Sequence, residues 1–327
     1  MNIARREAII ATGGLLLAST LRNGAHAESM PAASALEDGQ EAERYDRERK
    51  YADLAFGRIA YVERGQGPVA LLLHGFPLSS FQWRGVINRL SPHRRCLAPD
   101  FMGLGYSDVA EKQSVAPAAQ ADMLASLLDH MGIQDVDIIA SDSGGAVAQI
   151  FATKWPARVR TLLLTNCDVE TDSPPEAILP IIDMARAGLY TELYLEPWLL
   201  HKDVARSSAG LGGLCYSNSS HPTDAAIEQY IGPLVSSPAR KALTNRIAVS
   251  LAPNPLAGIA PALRKCNAPT RIVWGMSDTI FSSSNIAYLI SVLPRVSGVR
   301  RIQEGKLFFP EEFPGVIAEE AQRLWID

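Results

Sequence analysis

A carboxylate set among small residues, where an apolar run gives way to a helical one, is placed for nucleophilic attack. In Asp135 to Ala152, DVDIIASDSGGAVAQIFA, the spacing predicts a short buried strand over Val136 to Ala140. Gly144 and Gly145 admit a cramped backbone, and Ala146, Val147, Ile150 and Phe151 recur at helical intervals. Strand, sharp turn and helix make a nucleophile elbow with Asp142 at its apex. Two registers fit. In one, Ala140, Asp142, Gly144 and Gly145 read small, nucleophile, small, small. In the other, shifted by one, Ser143 is the nucleophile between Ser141 and Gly145. The first is favoured because the paired small residues then follow the nucleophile after one intervening residue. An aspartate that only caps the following helix is the bland alternative. The chemistry differs with the register: a carboxylate displaces a leaving group at saturated carbon to give an alkyl ester, whereas a serine alkoxide suits carbonyls.

The elements that must position Asp142 follow along the chain. Gln66 to Pro77, QGPVALLLHGFP, is an apolar strand ending in a His-Gly-x-Pro turn, and Cys96 to Asp108 is a strand entering a glycine-bearing loop. With the elbow, these segments resemble the α/β-hydrolase fold over nearly the whole mature chain. Val159 to Asn166, Thr270 to Trp274 and Ser297 to Glu304 supply further strands, and Ala119 to Met131 and Pro314 to Leu324 are helical stretches. The expected class is therefore α/β, a mostly parallel central sheet flanked by helices. A helical, loop-rich insertion, 171–265, interrupts the alternation between core segments 46–170 and 266–327. Pro174 to Tyr194 and Asp224 to Val249 carry its helix-like spacing, and the resemblance implies that it caps the catalytic pocket.

An aspartate at the elbow is similar to the haloalkane dehalogenase and epoxide hydrolase branch of that superfamily. The resemblance implies an anion hole formed by the backbone N–H groups of Phe76 and Ser143. His74 resembles a residue that packs beneath the turn, and with Trp83 it is assigned to the pocket surroundings. Asp278, in WGMSD after a strand, matches the family's acid position, which orients a histidine. Asp168, beyond the strand ending at Asn166, is a second candidate for that acid. A loop aspartate capping the helix near Ser283 is the plain reading of Asp278. The histidine itself is missing: the family segment resembling GHFFPEE reads KLFFPEE here, Lys306 to Glu312, with Leu307 in its place, and no histidine follows His221. Neither leucine nor phenylalanine accepts a proton, so hydrolysis of an Asp142 ester needs a substitute base. His201 or His221 from the cap, or a carboxylate such as Asp168, Asp278 or Glu312, could serve, or the reaction involves no ester. The dehalogenase halide donors, tryptophan and asparagine, are replaced by Ser143 and Phe76. Tyr190, Tyr194, Tyr216 and Tyr230 are available as the cap tyrosines that protonate an opening epoxide oxygen.

The first residues read as an address. Arg5 and Arg6 precede the uncharged run Ala8 to Leu21, and Ala25-His26-Ala27 offers a cleavage site, so residues 1–27 resemble a twin-arginine export signal and 28–45 a linker. The run is shorter than the ~20 residues of a membrane span. Periplasmic export, with no membrane association once processed, is the expectation. Removing 1–27 takes the formal net charge from −4 to −6, which argues against nucleic-acid binding. Cys96, Cys167, Cys215 and Cys266 are irregularly spaced, predicting buried thiols and no zinc site. The expected function is cofactor-independent hydrolysis of an epoxide or carbon–halide bond in a small apolar molecule by Asp142. The alternatives are a serine esterase or lactonase using Ser143, or a ligand-binding member that has lost its base.

Overall fold

The computed structural model describes residues 32–326; the expected leader, 1–27, lies outside them. Eight strands form one sheet: β1 (Lys50–Leu54), β2 (Gly57–Arg64), β3 (Val69–Leu73), β4 (Arg95–Pro99), β5 (Val136–Asp142), β6 (Val159–Cys167), β7 (Thr270–Gly275) and β8 (Val296–Ile302). Their order is β1-β2-β4-β3-β5-β6-β7-β8, with β1, β2 and β4 paired antiparallel and all other neighbours parallel. Every residue of β3 and β5 is buried, as strands covered on both faces require. The edge strand β1 and its antiparallel neighbour β2 carry mixed sequences, KYADL and GRIAYVER, and only part of each is buried.

Helices flank the sheet. They include α1 (Ala32–Glu48), α2 (Arg84–Leu90), α3 (Pro117–His130) and α4 (Ser143–Lys154), which leaves the end of β5 without an intervening loop. The insertion between β6 and β7 contains α5 (Leu179–Arg186), α6 (Asp224–Val235) and α7 (Pro238–Ser250), with short helical turns over Thr191–Leu195, Glu196–Leu200, Lys202–Arg206 and Leu211–Cys215. The stretch with helix-like spacing from Asp224 to Val249 divides at Ser237, whose Oγ accepts the Arg240 N–H at 3.2 Å and caps α7, with Pro238 in its first turn. Helices α8 (Asn285–Val292) and α9 (Pro314–Ile326) complete the core, α9 packing on α2 and β7.

From Ala32 onward, the segment expected as a linker is instead helix α1, docked on the core. Its sequence is rich in Ala, Glu and Arg, and Arg44 and Glu48 pair one turn apart at 2.8 Å. Asp38 accepts both Nε and Nη2 of Arg84, at 2.7 and 2.8 Å, and the fully buried Tyr45 donates to the Ser80 carbonyl at 3.0 Å. All four cysteines are free and buried.

Candidate active site

The end of β5 is where the backbone departs most from its ordinary range. Asp142 has φ 56° and ψ −137°, the single positive-φ residue other than glycine among the described residues. Holding a branched side chain there costs about 1–3 kcal/mol, which the surrounding packing must offset. That packing leaves no slack: a Cβ on Gly144 would lie 2.4 Å from the His74 carbonyl oxygen, and one on Gly145 would lie 2.3 Å from Cys167 Cβ. The strained residue is thus Asp142, while Ser143 opens α4 with its side chain lining a neighbouring cleft.

The two carboxylate oxygens of Asp142 have different surroundings. Oδ1 accepts the Phe76 N–H at 3.0 Å and also the Ser143 N–H, so the two N–H groups expected to form an anion hole converge on one atom. Oδ2 accepts no hydrogen bond among the described residues. Burial pushes the Asp142 carboxyl above the usual carboxylate range, and the N–H donors of Ser143 and Phe76 pull it back down.

Two more carboxyls sit at neighbouring strand ends. Asp278, in the loop after β7, accepts Asn166 Nδ2 at 2.7 Å on Oδ2 and the Ile280 N–H at 2.9 Å on Oδ1. Burial pushes it up to about 6, opposed by those donors and aided by the Asp142 charge. Asp168, just past β6, accepts the Ser173 hydroxyl at 2.6 Å on Oδ1, and burial with the Asp142 and Asp172 charges pushes it up to about 7. Leu307 is buried. Its segment is tied to the cap: the Phe308 N–H donates to the Cys215 carbonyl at 2.9 Å and Lys306 Nζ to the Gly213 carbonyl at 2.6 Å.

A family model described as the alpha/beta hydrolase fold matches residues 68–313. The chain belongs to that family. Haloalkane dehalogenase 2 of Mycobacterium bovis is 27% identical over 280 residues, covering 84% of this chain and 93% of the relative. A cis-3-alkyl-4-alkyloxetan-2-one decarboxylase of Xanthomonas campestris pv. campestris is 29% identical over 265 residues, covering 72% and 82%. Among solved structures, a ligand-free epoxide hydrolase, CorEH, superposes with a TM-score of 0.73 at 22% identity, covering 85% of this chain and 98% of that one. The chain thus has the alpha/beta hydrolase fold, and the relatives it is similar to include a haloalkane dehalogenase and an oxetan-2-one decarboxylase.

In this α/β-hydrolase-fold protein His74 and Trp83, expected around the pocket, do not line the cleft beside Ser143. Both are fully buried. The His74 ring spans two backbone groups, Nδ1 donating to the Gly75 carbonyl at 2.9 Å and Nε2 accepting the Phe101 N–H at 3.0 Å, so it braces the turn and has no nitrogen left for chemistry. Of the cap tyrosines, Tyr216 and Tyr230 each donate to Glu311 Oε2 at 2.8 Å, which removes them from the reaction. Tyr190 and the half-buried Tyr194 remain; the Tyr190 ring lies 5.8 Å from that of Phe76, and nearby Cys215, Tyr194 and Asp142 add to the burial that raises its phenol above the ordinary range. Beside Ser143, a small, partly open cleft is lined mainly by apolar side chains, including Phe76, Phe101, Leu104, Val147 and Ile247. Asn166 is the site residue that sequence reading passed over: it donates to Asp278 and also binds both Gly275 backbone groups, at 2.7 and 3.0 Å. Its signal was an amide at the buried end of an otherwise apolar strand.

Proposed function

We propose that Asp142 opens an epoxide or displaces a halide on a small apolar substrate, and that the resulting ester is then hydrolysed. The asymmetry of its carboxylate carries this reading: Oδ1 is held by two N–H groups, and Oδ2 is free to attack in a desolvated setting. As the Oδ2–carbon bond forms, the carbon–oxygen or carbon–halogen bond breaks. An opening epoxide oxygen would take the Tyr190 phenolic proton. The apolar lining beside Ser143 suits a substrate without charge. Asp278 and Asn166 buttress the acid side of the site.

The test is to incubate the protein with 1,2-epoxyhexane, 1-bromobutane and simple esters, recording intact mass alongside product. Asp142→Asn is expected to abolish both adduct and product. Activity surviving in that variant, with a phosphonate adduct on Ser143, would establish the serine esterase alternative. Saturable binding without turnover, converted to hydrolysis by Leu307→His, would establish the ligand-binding alternative. Export to the periplasm, supported by Arg5, Arg6 and the uncharged run behind them, is part of the proposal and is checked by fractionation with an Arg5→Lys, Arg6→Lys control.

Leu307 favours a second reading. The Xanthomonas relative is named for decarboxylation of an oxetan-2-one. Loss of carbon dioxide from a four-membered lactone gives an alkene and consumes no water, so such a reaction does not call on a base to activate one. Alkene formed from a cis-3-alkyl-4-alkyloxetan-2-one, and lost in Asp142→Asn, would support it over hydrolysis.

A further inference from the structure

An ester on Asp142 is hydrolysed only if some group takes a proton from water, and this inference rests on the reading of Asp142 as nucleophile. Leu307 cannot be that group. The described histidines are placed elsewhere: His74 binds two backbone groups, His221 stacks on Tyr216 at 5.3 Å with its buried, unpartnered Nε2 3.9 Å from Glu311, and His93, His130 and His201 are exposed. Glu312 spends both oxygens on the Ser217 and Asn218 N–H groups, each at 2.9 Å, fastening the cap. Asp278 has both oxygens occupied, by Asn166 and Ile280.

Asp168 differs from all of these. It directly follows Cys167, the residue that pairs with Asp142 across β5 and β6, so the two aspartates stand at adjacent strand ends. Its backbone is fixed by Gln149 Nε2, which donates to its carbonyl at 2.7 Å. Its Oδ1 is fixed by the Ser173 hydroxyl at 2.6 Å, and its own backbone N–H also donates to the carboxylate. One oxygen is therefore anchored by a neighbouring side chain, and the other has no side-chain partner among the described residues.

We infer that Asp168 is the general base that hydrolyses the Asp142 ester, a carboxylate acting where an imidazole would ordinarily act. Water attacks the ester carbonyl carbon and passes one proton to Asp168 Oδ2; the carbonyl oxygen, Oδ1, carries the negative charge under the Phe76 and Ser143 N–H groups. Collapse breaks the carbon–alkoxide bond, the alkoxide takes the proton back from Asp168 and leaves as alcohol, and Asp142 releases its remaining proton to solvent. The charged and titratable groups around Asp168 are Asp142, Asp172 and the Cys167 thiol. Burial, with the Asp142 and Asp172 charges, pushes Asp168 up to about 7, which matches a base working near neutrality.

The experiment forms the ester with 1-bromobutane and with 1,2-epoxyhexane, then follows its decay by intact mass in the wild type, Asp168→Asn, Asp168→Glu and Asp278→Asn. Asp168→Asn is expected to accumulate one adduct per chain, itself a sign of an intact fold, with decay slowed by about 10²–10⁴-fold. Asp168→Glu should restore part of the rate. Wild-type decay should rise with pH as the carboxylate form appears, with a midpoint below 7 because the ester removes the Asp142 charge that helps raise Asp168, and lose that rise in Asp168→Asn. An Asp168→Asn adduct that decays at the wild-type rate overturns the base and leaves the nucleophile standing. Absence of any adduct or product in every protein overturns both.

Discussion

At Asp142 a strained backbone and a buried charge coincide, and both depend on what lies immediately opposite. A Cβ on Gly75 would sit 2.5 Å from Asp142 Cβ and 3.0 Å from its Oδ1, so the missing side chain of Gly75 is the space the carboxyl occupies. Gly75→Ala should therefore destabilise the protein by about 1–3 kcal/mol in urea unfolding. It should also slow ester formation by tenfold or more, since a small displacement of a reacting atom is costly. Asp142 was legible because small residues and a change of periodicity surround it, and Leu307 because the segment around it keeps its pattern while the one ionisable residue is gone. Asp168 was named as a second acid and as one of three carboxylates that could replace the base: that its neighbour pairs with Asp142, and that Ser173 holds one oxygen, are facts of register and packing with no local sequence signature. Tyr190 was one of four tyrosines: the hydrogen bonds of Tyr216 and Tyr230 to Glu311 set those two apart, and the approach of its ring to Phe76 distinguishes it from Tyr194.

The elements carrying these residues are joined by a buried polar cluster. Arg84, beginning α2, pairs with Asp38 of α1 and lies 2.8 Å from Glu311, which in turn accepts the hydroxyls of Tyr216 and Tyr230 from the cap. Four segments distant in sequence thus meet on one carboxylate and one guanidinium, with side chains 1% and 8% exposed. Removing one partner of such a pair leaves the other uncompensated, so Glu311→Gln should cost about 3–5 kcal/mol in denaturant unfolding. Arg84→Met combined with Glu311→Leu should cost less than the sum of the two single changes. The cluster also shows why the element boundaries were only partly readable. The cap's helical content follows from apolar spacing, but the docking of α1 rests on Asp38, Glu41, Tyr45 and Glu48 meeting partners far along the chain. Likewise β1 and β2 lack the apolar runs that announced β3 and β5, because an edge pair buries only part of its surface.

Across the whole molecule the parallel sheet was the most legible feature, since strands covered on both faces must be apolar throughout and separated by helices. What the sequence could not convey is how completely the interior excludes solvent from its phenols. Tyr45, Tyr190, Tyr216 and Tyr230 are all buried, and burial lifts each above the ordinary tyrosine range. In the unfolded chain the same groups ionise near pH 10, so stability is fully present below that pH and drains away as alkalinity increases beyond it. An alkaline titration should therefore show tyrosinate absorbance in two waves. The peripheral rings ionise first with circular dichroism unchanged, and the interior ones appear abruptly, together with the loss of ellipticity, so that the protein's own chromophores register the moment its interior opens.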